Sequence, residues 1–201
     1  MPRIAPKLKI ASDAKMKELI LYVAKSSEKD KKFGAVKLNK ILFYADFLAY
    51  LKRGKSITGQ EYFALDEGPA PKRLLPIREQ MKADGEIVIK KVDQFGLPRP
   101  QERIEANRSP VLDGVFSADE IADVNYILQE LRDKTGKDVT NMSHEFAGWK
   151  SAFSKGAKTT IPLSTVRFDP EGFLGIEMPP LPAHLIEYGK KLHRKTTGAA
   201  A

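Results

Sequence analysis

The 201-residue sequence contains no cysteine and only three histidines. Disulfide staples, thiolate nucleophiles and cysteine-ligated zinc or iron–sulfur centres are thereby excluded, and little remains for a histidine-based metal site. No run approaches the ~20 consecutive apolar residues that span a bilayer. The opening Met1-Pro2-Arg3-Ile4-Ala5-Pro6-Lys7 lacks the apolar stretch of a secretory signal, so we expect a cytoplasmic chain with no membrane partner. Phosphate and hydrolase motifs are missing too. Arg53-Gly54-Lys55-Ser56 looks like the end of a P-loop, but the position of the required upstream glycine holds Ala49 and the segment follows a helical pattern. No Gly-x-Ser-x-Gly elbow occurs. His144-Glu145 would open a helical zinc motif only with a histidine at position 148, where Gly148 stands. No cofactor, metal site or catalytic constellation is expected, although scattered carboxylates always leave an enzyme with unrecognised acid–base chemistry as an alternative.

Charge of one sign is in excess. Lys and Arg number 34 against 26 Asp and Glu, a formal net charge of +8, which favours an acidic partner. The cations are scattered along the chain, whereas dedicated nucleic-acid binders tend to concentrate them on one face.

Hydrophobic periodicity places a first helix over residues 12–27, with Met16, Leu19, Ile20, Val23 and Ala24 on one face and Ser12 as N-cap. Residues 36–51 are apolar almost all round, the pattern of a central helix packed on several sides, and they enclose the polar Asn39 and Asp46. A short strand follows at residues 60–65, then the Gly68-Pro69-Ala70-Pro71 turn. The next helix, over residues 72–84, should begin or kink near Pro76. Residues 86–92 and 102–106 read as an antiparallel hairpin. Ser117 and Glu120 form a capping box for a helix reaching about Thr135 and stopped by Gly136. A further helix, capped by Asp138 or Thr140, carries Met142, Phe146, Trp149 and Phe153; a last amphipathic helix holds Leu181, Leu185, Tyr188 and Leu192. The fold class is therefore α+β and mainly helical, a single domain with a central buried helix and a small antiparallel β element.

A helix followed by a hairpin, residues 72–106, is also how a winged-helix module is built. A DNA-binding regulator is the alternative reading, with Lys72, Arg73 and Arg78 facing a groove and Lys90, Lys91 and Arg99 forming the wing.

The run Lys37-Leu38-Asn39-Lys40-Ile41-Leu42-Phe43-Tyr44-Ala45-Asp46 resembles the opening helix of the Panacea-domain, SocA-like antitoxins. The likeness continues through Gly54-Lys55-Ser56-Ile57-Thr58-Gly59, Tyr62-Phe63-Ala64-Leu65 and Gly68-Pro69-Ala70-Pro71, and more loosely through Met142-Ser143-His144 and Trp149. It implies a domain over residues 12–155 with a C-terminal extension over 156–201. Lys37, Leu38, Lys40, Tyr44, Asp46, Gly68, Pro69, His144 and Trp149 are then the structural family-motif residues. It further implies a phage- or prophage-associated antitoxin that binds and neutralises a cognate protein toxin, small alarmone-synthetase-like enzymes being among such toxins. The SocA branch instead implies an adaptor that delivers its toxin to a cytoplasmic protease. The expected partner surface is Tyr62, Phe63, Pro69, Arg73 and Arg78, with the region after Gly156 as a second candidate. The basic run at 190–195 would steer association, and the small-residue tail at 198–201 would engage a protease.

Overall fold

The computed structural model describes residues 6–93 and 100–174. Its first helix, α1 (Pro6–Ser26), buries Met16, Leu19, Ile20 and Val23 as the spacing predicts, but it starts before Ser12. Ser12 is thus no N-cap. Its hydroxyl donates to the Thr58 carbonyl at 2.6 Å and accepts from Gln60 Nε2 at 2.9 Å, tying the helix to the loop after α2.

A helix that is apolar round its circumference is stable only inside the protein. Of the 19 residues of α2 (Ala35–Arg53), twelve are buried, including the charged Lys37, Lys40 and Asp46. The helix ends where Gly54 takes a left-handed conformation (φ 71°) and its N–H bonds the Tyr50 carbonyl.

Strands β1 (Tyr62–Leu65) and β2 (Gly68–Pro71) pair antiparallel from Tyr62 with Pro71 to Leu65 with Gly68, leaving Asp66 and Glu67 as an exposed tip. In α3 (Leu74–Ala83), Pro76 lies in the first turn, where no amide is needed for the helix ladder, so no kink is required. β3 (Ile87–Val92) and β4 (Gln101–Ala106) form the expected hairpin, which leans on α1 and α3 through buried Ile87 and Ile104.

The capping box is present: Ser117 Oγ accepts from the Glu120 amide at 3.2 Å and Glu120 accepts from the Ser117 amide at 2.9 Å. The helix it starts, α4 (Ala118–Leu131), stops before Thr135. Thr135 instead caps α5 (Gly136–Glu145) in a second box with Asp138, so Gly136 opens a helix rather than closing one. The single helix expected across Phe153 is broken at Phe146 (φ −62°, ψ 118°), and α6 (Ala147–Phe153) begins afresh. The break turns Phe146 into the core, fully buried, while the Asp169 carboxylate accepts from the Ala147 amide at 2.8 Å and closes the new helix end.

β5 (Thr160–Ile161) pairs antiparallel with β1, making a sheet of order β2-β1-β5, and a 3-10 turn (Leu163–Arg167) leads to the short α7 (Pro170–Leu174). The aromatic core gathers Phe43, Tyr44, Phe47, Tyr62, Phe146 and Phe173, neighbouring ring centroids lying 4.6 to 6.0 Å apart. The stretch expected as an extension from residue 156 therefore shares the main core through Leu174. The expected helix around 181–192, the basic run and the terminal tail lie outside the described residues. Among the described residues no helix is long and apolar enough to cross a membrane.

Because Phe173 is 1% exposed within that cluster, Phe173→Ala should lower stability in urea unfolding by about 3–5 kcal/mol. A loss below about 1 kcal/mol would be that of a surface substitution.

Candidate functional site

The site is built around the β1–β2 hairpin. A two-residue tip forces unusual backbone at its closing pair, and Gly68 takes φ 92°. A Cβ there would also come within 2.5 Å of both Lys40 Nζ and Ser143 Oγ. Glycine is thus required twice over, by backbone sign and by the approach of a lysine from α2.

Three side chains from distant parts of the chain end on this hairpin's backbone. Lys40 Nζ donates to the Glu67 carbonyl and, at 3.4 Å, to that of Pro69. Trp149 Nε1 donates to the Leu65 carbonyl at 3.0 Å. The His144 imidazole hydrogen-bonds the Asp66 backbone. The imidazole stacks on the Trp149 indole at 4.1 Å and 11°, and the indole stacks on Phe153 at 4.9 Å and 14°. A turn that would otherwise fray is held from beneath by α2 and from the side by α5 and α6.

The base of β1 is anchored through Asp46. Its carboxylate accepts the Thr58 amide at 2.8 Å, the Thr58 hydroxyl, and the Tyr62 hydroxyl at 2.8 Å. The Leu42 carbonyl lies 3.0 Å from the same Tyr62 oxygen. Burial raises the Asp46 pKa despite these donors, and it pushes the Tyr62 phenol well above its ordinary value with the neighbouring Asp46 adding to the shift. Lys37, on the opposite flank of α2, donates to Asp30 at 2.5 Å and to the Arg132 carbonyl at 2.7 Å.

Lys40 is the electrostatic exception. Its ammonium is fully buried and satisfied by carbonyl oxygens, with Glu67 supplying only a partial compensating field; burial brings its pKa from 10.5 down to about 7. His144 is likewise held below its usual value, first by burial and next by the Lys40 charge.

The motif residues are thereby brought together: Lys40, Asp46, Gly68, Pro69, His144 and Trp149 all act on one hairpin, while Leu38 and Tyr44 fill the core and Lys37 ties down the 27–30 turn region. The expected partner surface is corrected. Tyr62 is 1% exposed, Pro69 and Arg78 are buried, and only Phe63, half-buried, and Arg73 remain accessible. Tyr62 turns inward because its hydroxyl completes the Asp46 network, and Pro69 because β2 lies on α2. Arg78 is drawn in toward Glu102 at 3.1 Å.

Most of the winged-helix cations are paired, Lys91 alone of the described ones being exposed without an ion pair. Arg73 pairs with Asp13 at 2.6 Å, Lys72 with Glu61 at 3.5 Å and Lys90 with Glu105 at 2.6 Å. Arg99 lies outside the described residues. Sequence reasoning missed Thr58 and Asp123: the latter, 3% exposed on α4, accepts Lys52 at 2.8 Å and Arg53 at 2.5 Å. Thr58 lies in the 54–59 run of the likeness, but its role, like that of Asp123, shows only when residues of α2 are folded against it.

The Lys40 pKa has a consequence for stability. Between pH 7 and its ordinary 10.5 the unfolded chain still holds a proton that the folded protein has released, so stability must rise with pH across that window. Melting temperature should therefore climb from pH 7 to pH 9.5 in wild type and much less in Lys40→Met; equal slopes would show that the lysine is not the group responsible.

Comparison with known proteins fits this arrangement. Residues 38–150 match the family model described as antitoxin SocA-like, Panacea domain, which covers more than half of the chain and takes in most of α2, the clamped hairpin and the His144–Trp149 stack. No curated protein and no solved structure gives a significant match. The chain belongs to the SocA-like Panacea-domain antitoxin family.

Proposed function

We propose that this protein is the antitoxin of a toxin–antitoxin pair and neutralises its cognate toxin in the cytoplasm by direct protein–protein contact. The observation that carries the reading is where the motif side chains end. Lys40 and Trp149 spend their polar atoms on the hairpin's own backbone, His144 bonds that backbone through one ring nitrogen while its buried Nε2 has no partner among the described residues, and Asp46 is spent on Thr58 and Tyr62. Such a motif builds a scaffold. A reactive centre would instead aim nucleophile, base and electrostatic stabiliser at a common point that substrate can reach. A binding role needs no more than a rigid element presented to a partner, because ordering is then completed before association.

The surface this scaffold presents is the Asp66–Glu67 tip flanked by half-buried Phe63, Leu65, His144 and Trp149. Neutralisation by contact and delivery to a protease are separated by one co-expression experiment with the adjacent open reading frame. Growth arrest should be relieved while the toxin's cellular level is unchanged and the two proteins co-purify. A toxin level that falls on co-expression would assign the adaptor mechanism, and arrest that persists would overturn the antitoxin reading. Gly68→Val, which strains the backbone and drives into Lys40 and Ser143, should abolish relief and lower the melting temperature together.

A further inference from the structure

Away from the hairpin, the C-terminal end of α2 meets the 3-10 turn, where Val166 enters the core and several other side chains face outward. Phe168, directly after that turn, is 79% exposed, the most exposed large apolar side chain among the described residues. Beside it, the Arg167 guanidinium lies 4.9 Å above the Tyr50 ring and approaches Gly54. Lys52, Arg53 and the exposed Lys55 complete the surroundings. Among the described residues the only carboxylate paired with them is Asp123, which takes Lys52 and Arg53. Lys55 and Arg167 form no ion pair among the described residues. The nearby Asp169 is occupied in closing helix ends, accepting from the Ala147 amide at 2.8 Å and the Gly172 amide at 3.0 Å.

An exposed aromatic ring beside an arginine is the composition from which interface hot spots are made. Arg167 is also pre-ordered. Its position over the Tyr50 ring restrains the guanidinium and leaves N–H donors to meet a carboxylate. Resting on the antitoxin reading above, we propose that this patch is a second anchor for the toxin, separate from the hairpin tip, and that it fits an acidic region of the partner's surface whose carboxylates meet Arg167 and Lys55 around an apolar recess that receives Phe168. The charge pattern favours a protein over a nucleic acid. Four cations against the single Asp123 carboxylate leave an excess of three charges, enough to orient a pair of carboxylates but short of the row of phosphate contacts from which nucleic-acid binding draws its affinity. Arg167 and Phe168 also lie beyond residue 150, where the family match ends.

The test uses the full-length protein and the purified product of the adjacent open reading frame, with affinity read by titration calorimetry or interferometry. Phe168→Ser should weaken binding 10- to 100-fold, and the double variant Arg167→Glu with Lys55→Glu should slow association at least tenfold and flatten its salt dependence, both with melting temperatures near wild type. Wild-type affinity in both variants would overturn the proposed anchor while leaving the antitoxin reading intact. Absence of binding by the wild-type protein would sink the antitoxin reading itself. Binding to a random-sequence DNA duplex that these same substitutions abolish would assign the patch to nucleic acid and overturn the acidic-protein partner.

Discussion

The structure depends on one constraint: a helix buried on all sides still carries two lysines and an aspartate into the interior. Removing an ionised group from water is expensive unless other polar groups replace the lost hydration. Each buried charge on α2 therefore dictates what must pack against it. Asp46 draws in Thr58 and Tyr62, which sets the course of the loop after α2 and the start of β1. Lys37 draws in Asp30 and the end of α4. Lys40 draws in the carbonyls of the hairpin turn. Hydrophobic burial explains why α2 is central, and these polar demands explain why its neighbours adopt one arrangement.

The hairpin is the clearest product of that demand. Two four-residue strands joined by a two-residue tip are marginal by themselves. Here the pair gains a third strand from residues 160–161, a lysine from below, and an indole and imidazole from the side. The cost is an ammonium whose pKa falls to about 7, so that it balances between charged and neutral near physiological pH. In return the tip is fixed, and a fixed tip suits a protein whose work is recognition.

Much of the local structure was legible because it follows from short-range rules. The Ser117–Glu120 box and the β3–β4 hairpin each stand where neighbouring residues put them. The misjudged points share a different origin. The break at Phe146 answers a core that needs that ring and an Asp169 carboxylate that closes the new helix end. Ser12 serves Thr58, 46 residues away. Tyr62, Pro69 and Arg78 carry surface chemistry in the sequence, yet they are buried by partners on α2 and β4 that no local pattern names.

By itself the sequence determined the class of fold, the central helix, and the motif that marks the family, because helix periodicity, capping and glycine conformation are properties of a few adjacent residues. Tertiary structure alone decided what that motif is for. Lys40, Gly68, His144 and Trp149 span more than a hundred positions, and only folding shows that they converge on one turn, three of them hydrogen-bonded to its backbone. The same folding decided which aromatic stays outside: Phe168 was one phenylalanine among ten in the sequence, and it became distinctive when the core closed without it.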